Sequence, residues 1–442
     1  MRVHFISIGG AVMHNLALAL LGLGYKVTGS DDEIFEPALT RLKAKGLLPA
    51  DIGWNENNIT TDIDFIILGM HARVDNPELV KAKNLNLRIY SFPEYIYEHS
   101  KNKTRIVVGG SHGKTSTTAM IMHVLNHEGR DFDYLVGSQL EGFETMVKLS
   151  HAPIIVIEGD EYLTSPLDLK PKFHWYKPHT AILTGIAWDH INVFPTYEIY
   201  VEQFRVFIES IDPHGTLIYC EQDEDLKELS LQSTCKALPY SVPPHSIHKG
   251  VTTIHRDGKE YPLEIFGKHN LMNLQAAMMA CKTLGIEESN FLQAISTFKG
   301  AAKRLEKIKD TGEIKIFRDF AHSPSKLKAT VKAAIEQFEG FNTIGVFELH
   351  TFSSLNADFL KEYKGSMDGL DTAIVYFNTH VFEWKKMKIL DKAFVNEQFG
   401  GVEVINNSAE LKDKLQLLLK GKSVLLLMSS GNFDGMDVEG LG

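Results

Sequence analysis

RIVVGGSHGKTSTTAMIMHVLNHEG, residues 105–129, has the pattern of a buried strand, a glycine-rich turn and a helix. The apolar run at 106–108 predicts the strand, residues 109–114 the turn, and residues 115–125 the helix. A turn that leads directly into a helix points backbone N–H groups and the positive end of the helix dipole at one place. The segment therefore predicts an anion-binding site at the start of the helix.

Lys114 and Thr115 indicate that this anion is a nucleotide phosphate. The lysine supplies charge for β- and γ-phosphates, and the threonine hydroxyl reaches a Mg²⁺ held by the same phosphates. The spacing is shorter than the common G-x-x-x-x-G-K-T, because Val108 stands where that form has its first glycine. The alternative, a glycine turn with a stray lysine, does not explain Lys-Thr-Ser at a helix start. We predict a nucleoside triphosphate site.

Composition narrows the class of protein. A chain of 442 residues is too long for a single hydrophobic core, and its length suggests about three domains. Its net charge of -10 argues against nucleic acid and anionic membranes as partners, while a local basic pocket for a phosphorylated ligand stays compatible with it. Three cysteines without C-x-x-C spacing argue against a disulfide framework and structural zinc. With no visible signal peptide or membrane-spanning run, we expect a cytoplasmic protein.

Residues 1–102 are predicted to form a Rossmann-like domain. A strand at 3–8 is followed by Gly9, Gly10 and an apolar helix, and Asp31 follows the second strand at the distance where an acidic residue contacts a ribose. The full G-x-G-x-x-G fingerprint is missing. Two interpretations therefore stay open: the glycines bind a nucleotide, or they only allow tight strand-to-helix packing.

A further strand at 65–68 ends in a loop that contains His71 and Arg73. Ligands of open α/β sheets lie at strand ends. Arg73 is therefore predicted to hold a phosphate or carboxylate, with a solvated surface arginine as the equal alternative. The pattern becomes polar and basic at 100–104, where we place the first domain boundary.

In the predicted second domain, residues 103–299, two strands end on acidic or metal-binding side chains. These are Glu158, Asp160 and Glu161 after a strand at 153–157, and Asp189 and His190 after a strand at 181–183. Carboxylates this close repel one another unless a cation neutralises them, which favours Mg²⁺. Either cluster alone is more often a solvated loop, but beside a phosphate loop both favour a metal site.

The segment FGKHNLMN, residues 266–273, precedes an apolar helix predicted at 274–284. Asn270 and Asn273 either cap this helix or read the edge of a base, and both interpretations stay open. The preceding segment 241–259 is rich in proline, histidine and glycine, which predicts turns or a hairpin.

From residue 300 strand and helix patterns alternate again and predict a second Rossmann-like domain at 300–442. Its predicted strands are 314–317, 343–347, 373–376 and 424–428, and the polar side chains that follow them include Asp319, His322, Glu348, His350 and Ser429. The fold class predicted for the chain is α/β with three domains, of which the central one carries a parallel sheet and the phosphate loop.

Together these motifs resemble the Mur ligases, the ATP-dependent enzymes that build the peptide of peptidoglycan. GSHGKTSTT, EGDEY, WDH, GKHNLMN, KRLE and DFAHSP occur in the family's order over nearly the whole chain. The opening VHFISIGG and the GSD at 29–31 are similar to members that take UDP-N-acetylmuramate. The stretch EGDEYLTSPLDLKPKFHWYKP, residues 158–178, is similar to the member that recycles a whole tripeptide, more than to the member that adds L-alanine.

The resemblance implies roles for matching residues. Those implied for ATP are Gly110, His112, Gly113, Lys114, Thr115, Ser116, Asn270, Asn273, Arg304, Asp319 and His322, with Arg304 on the γ-phosphate. Those implied for Mg²⁺ are Thr115, Glu158 and His190, and Glu161 is a weaker candidate for contact with the metal or the substrate. Those implied for the substrates are Gly9, Gly10, Ser30, Asp31, His71, Arg73 and His350. Catalysis would fall to Lys114, Glu158, His190 and Arg304.

The chain departs from the family in two places. Some Mur ligases carry a carbamylated lysine after the Asp-His motif, but the matching stretch 200–205 has none, as in the alanine-adding and tripeptide-adding members. Those members usually carry an arginine after the strand at 343–347, and here residues 348–354 have none. His350 is a substitute for holding the acceptor, whose identity this leaves open.

The resemblance implies that ATP activates the lactyl carboxylate of UDP-N-acetylmuramate as an acyl phosphate, which a peptide amine then attacks, with Mg²⁺ as cofactor. The enzyme alternative takes L-alanine. Alternatives of other classes are an NTP-driven switch protein and a nicotinamide dehydrogenase, and the broken glycine fingerprint argues against the latter. We expect a monomer or weak dimer.

Overall fold

The computed structural model describes residues 1–140, 142–188, 193–301 and 304–441. It divides into two compact units. The first comprises Met1–Ser241 with Met272–Phe291, and the second comprises Val242–Leu271 with the chain from Leu292 onward. In the described part of the chain, no helix is long and apolar enough to cross a membrane.

The first unit begins with a parallel sheet in the order β2-β1-β3-β4. Its strands are β1 (Arg2–Ile6), β2 (Lys26–Ser30), β3 (Phe65–Leu68) and β4 (Arg88–Ser91), and its helices are α1 (Ala11–Gly22), α2 (Ala38–Ala44), α3 (Pro77–Asn84) and α4 (Phe92–Ser100). All four residues of β3 are buried, which accounts for its continuous apolar sequence.

The carboxyl ends of three of these strands are level. Ile6 pairs with Ser30 on one side and with Leu68 on the other. The loops that follow β1, β2 and β3 therefore meet at one edge of the sheet, which is the edge where open α/β sheets bind ligands.

The second sheet of this unit has the order β13-β12-β11-β5-β8-β6-β7, and only β7 runs antiparallel to its neighbour among these strands. The strands are β5 (Thr104–Gly109), β6 (Phe132–Leu135), β7 (Val147–Lys148), β8 (Ile154–Glu158), β11 (Thr180–Leu183), β12 (Thr216–Cys220) and β13 (Lys236–Tyr240). A separate hairpin consists of β9 (Leu163–Ser165) and β10 (Asp168–Pro171). The helices are α5 (Lys114–His127), α6 (Tyr197–Glu209) and α7 (Glu224–Ser230).

β5 lies inside this sheet, between β11 and β8. The predicted strand and helix around the phosphate loop are confirmed, although α5 begins one residue earlier than expected and ends at His127. Almost every α5 residue from Ser116 to Leu125 is buried, because the helix packs on the sheet and under neighbouring elements. Strand β5 and helix α5 thus form a rigid support for the loop between them.

The second unit contains two sheets among its described residues. The antiparallel one is β14 (His245–His248), β15 (Val251–Arg256) and β16 (Lys259–Leu263), where the sequence predicted turns or a hairpin. The larger has the order β17-β18-β22-β19-β20-β21 and consists of β17 (Glu306–Asp310), β18 (Ile314–Asp319), β19 (Asn342–Glu348), β20 (Thr372–Tyr376), β21 (Glu403–Ile405) and β22 (Ser423–Met428). Its helices are α10 (Pro324–Gln337), α11 (Thr379–Trp384), α12 (Lys392–Phe399) and α13 (Ser408–Leu418).

The helix α8 (Lys268–Thr283), followed by α9 (Glu288–Ile295), corrects one expectation. The sequence predicted a helix at 274–284 that Asn270 and Asn273 precede. The helix begins six residues earlier, so both asparagines lie inside it, three residues apart and therefore on neighbouring positions of one face. Apolar periodicity missed this first turn because Lys268, His269 and Asn270 interrupt it.

Candidate active site

The phosphate loop between β5 and α5 requires glycine at two positions. Gly110 and Gly113 have φ of +118° and +82°, which other residues rarely adopt. A Cβ on Gly110 would lie 2.3 Å from Thr184 Oγ1, and one on Gly113 would lie 2.4 Å from Asn273 Oδ1. Gly113 caps α5 without a side-chain hydrogen bond, so the first N–H groups of the helix point to a place suited to an anion.

Lys114 lies at the start of this helix with its ammonium group inside the site. Its Nζ donates to the Gly110 carbonyl at 2.5 Å and to Glu161 Oε2 at 2.9 Å. Burial alone would lower the pKa of Lys114, but Glu161, with Asp160 and Glu158 nearby, raises it. The lysine is therefore charged and placed to neutralise phosphate.

Glu158 and Thr115 provide neighbouring oxygen atoms at the end of β8 and the start of α5. Thr115 Oγ1 donates to Glu158 Oε1 at 2.8 Å, and Glu158 Oε2 accepts from the Gly137 N–H at 2.9 Å. A carboxylate and a hydroxyl are ligands that Mg²⁺ takes alongside phosphate oxygens and water, so this pair fits the ion. His190 and Asp189 lie outside the described residues, and within those residues no group of three His, Cys, Asp or Glu side chains could hold a metal.

The three carboxylates at the end of β8 have separate partners, and the ammonium groups of two lysines neutralise two of them, where the sequence analysis named only Mg²⁺. Asp160 pairs with Lys172, and Glu161 pairs with Lys114. Burial would raise the pKa of Asp160, but Lys172 and then Lys114 lower it. Among the described residues, Glu158 accepts from a hydroxyl and an amide and forms no ion pair, so it is the carboxylate suited to a metal.

Glu161 also contacts Tyr200 on α6. Tyr200 Oη donates to Glu161 Oε1 at 3.2 Å and lies 3.1 Å from Ser111 Oγ in the phosphate loop. Tyr200 belongs to the stretch 200–205, which contains no lysine. Sequence reasoning missed the roles of Lys172, Tyr200 and Gly137, because nothing in their local pattern places them beside the strand ends.

A cavity of about 170 Å³ joins this site to the first sheet. Gly10 and His71, from the loops after β1 and β3, line it together with Gly137, Glu158 and Asp160 from the central sheet. The structure thus brings two predicted substrate residues to the same cavity as a predicted metal ligand.

The other predicted substrate residues of the first sheet make internal contacts. Asp31 Oδ2 accepts from Gly9 N–H at 2.6 Å, and burial raises the pKa of Asp31 to about 6. Ser30 is buried and donates to Glu78 Oε1 at 2.7 Å. Arg73 pairs with Asp75 on the surface, where its side chain is 82% exposed. Their predicted contacts with substrate stay predictions.

The asparagines of α8 are both buried. Asn270 Nδ2 donates to the Phe266 carbonyl at 3.0 Å, a local bond that fixes the start of the helix. Asn273 Oδ1 is the atom that a side chain on Gly113 would meet. Asn273 therefore lies against the phosphate loop, and its predicted contact with adenine is compatible with that position.

In the second unit, Asp319 at the end of β18 forms hydrogen bonds with nearby backbone and side-chain donors. Its carboxylate accepts from the N–H groups of Leu305 and Ala321 and from Thr330 Oγ1 at 2.7 to 3.0 Å. It therefore holds the segment that carries Arg304, whose guanidinium lies 4.8 Å from the ring centroid of Phe320. His322 Nδ1 contacts the Phe320 carbonyl at 2.8 Å.

His350 lies at the ends of the adjacent strands β19 and β22. Its Nδ1 is 3.5 Å from Ser430 Oγ, and Lys385 donates to its carbonyl. Burial and then Lys385 lower the pKa of His350. Glu348 accepts from Ser429 Oγ and from Phe433 N–H, so the strand ends predicted to be polar do form one cluster.

The fold and this site define an α/β nucleotide-dependent enzyme with a phosphate loop, a neighbouring carboxylate and hydroxyl, and an adjoining cavity. Comparison with known proteins agrees. The model of the Mur ligase family catalytic domain matches residues 2–104, and the Mur ligase middle domain matches residues 108–281.

Similar proteins fall in the same group. UDP-N-acetylmuramate–L-alanine ligase of Clostridium kluyveri is 31% identical over 85% of this chain and 82% of its own. A murein peptide ligase from Psychrobacter arcticus is 24% identical, with a TM-score of 0.64 over 99% of this chain and 97% of its own. A UDP-N-acetylmuramate–alanine ligase from Thermotoga maritima is 22% identical, with a TM-score of 0.70 over 98% and 97%. The chain belongs to the Mur ligase family and is an ATP-dependent ligase.

Proposed function

We propose that this ligase activates the lactyl carboxylate of UDP-N-acetylmuramate with ATP and joins it to the amine of an amino acid or peptide. The observation that carries the proposal is the cavity of about 170 Å³ on which Gly10 and His71 face Glu158, next to the loop of Lys114 and Thr115. A sugar nucleotide held at the first sheet would present its carboxylate to phosphates held at the second.

A carboxylate is a poor electrophile, so amide formation in water requires activation. A carboxylate oxygen attacks the γ-phosphorus of ATP, ADP leaves, the amine attacks the acyl carbon, and inorganic phosphate and a proton are released. Lys114 and the N-terminus of α5 stabilise the charge on the transferring group, and Glu158 with Thr115 would hold Mg²⁺, which supplies further charge neutralisation. The chain's contribution is mainly positioning and electrostatics.

L-Alanine is the acceptor that the curated relatives support better, since these relatives, among them the one from Clostridium kluyveri, are named UDP-N-acetylmuramate–L-alanine ligases. The tripeptide L-alanyl-γ-D-glutamyl-meso-diaminopimelate is the second candidate. It is supported by the murein peptide ligases among the similar structures and by the resemblance of residues 158–178. In that segment the hairpin β9–β10 exposes Leu167 and Leu169, which offers apolar surface to a larger acceptor.

A competition assay separates the two acceptors. The enzyme is given ATP, Mg²⁺, UDP-N-acetylmuramate and equal concentrations of L-alanine and the tripeptide, and mass spectrometry identifies the product. Predominant L-alanine adduct supports the first candidate, and predominant tripeptide adduct supports the second. ATP hydrolysis with no adduct would contradict the proposed ligase.

Lys114→Ala tests the site itself. We expect ADP release that depends on both substrates to fall by roughly 100- to 1,000-fold, because the loop loses its charge on the transferring phosphate. Lys282→Ala, an exposed lysine at the end of α8, is the matched control and should keep full activity. Normal turnover of folded Lys114→Ala would reject the proposal.

A further inference from the structure

A series of hydrogen bonds connects the loop of Gly9 and Gly10, which follows β1 and is called the glycine loop below, to Glu158 at the end of β8, the proposed metal ligand. It starts at the Gly10 carbonyl, which lies 2.8 Å from His14 Nδ1. His14 Nε2 lies 3.0 Å from Asn15 Nδ2, and Asn15 Oδ1 accepts from the Met146 N–H at 3.1 Å. His14 and Asn15 are both buried at the start of α1.

The contacts fix how Asn15 is oriented. Its Nδ2 donates to the Ala11 carbonyl at 2.7 Å, and only its oxygen can accept from Met146 N–H. The Gly10 carbonyl only accepts, so His14 carries its proton on Nδ1 and receives Asn15 Nδ2–H at Nε2. Every polar atom of the Asn15 amide is therefore committed to a position set by its neighbours.

Met146 closes the loop between β6 and β7. Its carbonyl accepts from Val136 N–H at 2.9 Å, and the next residue, Gly137, donates its N–H to Glu158 Oε2 at 2.9 Å. Glu158 Oε1 in turn accepts from Thr115 Oγ1. One end of this loop is thus fixed by Asn15 on α1, and the other end orients Glu158.

Arg41 on α2 adds a second connection. Its Nη1 donates to Asn15 Oδ1 at 3.3 Å and its Nη2 donates to Gln139 Oε1 at 3.0 Å. Helices α1 and α2 therefore form hydrogen bonds with the β6–β7 loop at two points, through Asn15 and through Arg41.

Both ends of the path line the cavity described above, which Gly10, Val136, Gly137 and Glu158 share. A ligand that orders the glycine loop acts on one end, and a nucleotide with Mg²⁺ at Thr115 and Glu158 acts on the other. We propose that Asn15 is a positioning residue that couples binding of the sugar nucleotide to binding of Mg²⁺-ATP, an inference that rests on the proposed function.

The test measures coupling, which is a ratio of affinities and is the same in both directions. Calorimetry gives the affinity of AMP-PNP with Mg²⁺, alone and with saturating UDP-N-acetylmuramate, and the reverse titration checks the ratio. We expect the wild type to bind AMP-PNP about tenfold more tightly when the sugar nucleotide is present. In Asn15→Ala each ligand alone binds within about threefold of wild type, while the ratio falls close to one.

Two further variants sharpen the result. Asn15→Asp keeps an oxygen for Met146 N–H and Arg41, so it should retain part of the coupling that Asn15→Ala loses. Arg41→Ala removes the second connection at a half-buried site and should lower the ratio less than Asn15→Ala does. If Asn15→Ala does not fold, the affinity ratio of Arg41→Ala provides the test. A wild-type ratio in Arg41→Ala then overturns the inference.

The remaining outcomes distinguish a failure of the proposed function from a failure of this inference. If UDP-N-acetylmuramate does not bind the wild type, the proposed function fails before the inference is reached. Binding of both ligands to the wild type without coupling overturns the inference and leaves the function standing. Equal weakening of both ligands in Asn15→Ala, with the ratio unchanged, would assign Asn15 a packing role only and also overturns it.

Discussion

At the scale of single residues, Lys114 shows how the chain's own side chains stabilise a buried charge in the site. Glu161 accepts from its ammonium group, and Tyr200 in turn donates to Glu161. A buried charge that loses its partner costs far more than the pair itself contributes. Glu161 therefore stabilises the charged Lys114 at the phosphate loop.

This gives a prediction for Glu161→Gln. The nucleotide-free variant should lose roughly 1–3 kcal/mol of stability, since Lys114 keeps only weaker carboxylate neighbours. AMP-PNP with Mg²⁺ should raise its melting temperature more than that of the wild type, because phosphate restores the missing negative charge. Differential scanning calorimetry measures both. Tyr200→Phe keeps the ion pair and should show a much smaller loss; equal losses in the two variants would contradict this explanation.

His14 gives a prediction for pH. Burial, partly offset by the Gly10 carbonyl and reinforced by Arg41, lowers its pKa below the ordinary 6.5. The unfolded chain then binds a proton more readily than the folded one. The contribution of neutral His14 to the free energy of unfolding is therefore complete above about pH 6.5 and is lost as the pH falls below that value. Urea unfolding at pH 7.5 and 5.5 should show a smaller difference for His14→Gln than for the wild type.

Exposed His151 provides the control for that measurement. His151→Gln should keep the wild-type difference in unfolding free energy between the two pH values. An unchanged difference in His14→Gln would show that other histidines account for the acid sensitivity.

At the scale of elements, the entry to the phosphate-loop strand is held by a buried ion pair. Lys103, just before β5, donates to Asp133 on β6 at 2.6 Å and to the carbonyls of Ser150 and Ala152. Burial opposes ionisation of Asp133, but His99, Lys103 and Ser150 around it hold its pKa at about 2. The pair connects the start of β5 to β6, and the two carbonyl contacts connect it to the segment before β8.

Asp133→Asn should lower the free energy of unfolding by roughly 3–5 kcal/mol at pH 7, because Lys103 remains buried without its counter-charge. For the wild type, the contribution of Asp133 is present above about pH 4 and is lost as pH falls toward 2. Chemical denaturation at several pH values measures both effects. A Lys103→Met/Asp133→Leu double variant should recover much of the loss at pH 7, and failure to do so would point to the carbonyl contacts instead.

At the scale of the whole molecule, the two compact units predict unfolding in more than one step. The predicted contacts of the sugar nucleotide in the first sheet all belong to the first unit. UDP-N-acetylmuramate at 100 times its Kd should therefore raise the free energy of unfolding of that unit by about 2.7 kcal/mol. The midpoint temperature of one calorimetric transition should rise, and that of the other should not change. Limited proteolysis identifies which unit each transition reports. A single transition that shifts as a whole would contradict this prediction.

Local patterns predicted much of this molecule. The strand, loop and helix around Lys114, the βαβ opening and four strands of the second unit are recognisable in the sequence, because hydrophobic periodicity and glycine placement are local properties. The α/β class is confirmed, while the domain borders at 102 and 299 stay predictions. The start of α8 was missed, since polar side chains in its first turn, such as Asn270, hide the apolar period.

The sequence by itself determined the phosphate loop, the family and the residue types of the site, since each depends on neighbours within a few positions. Only the tertiary structure decided the partners: Glu161 with Lys114, Asp160 with Lys172, and Asn15 with Met146. These contacts join residues 12 to 131 positions apart. Parallel strands bring such residues together through long crossovers, and no local pattern encodes which strand ends become neighbours.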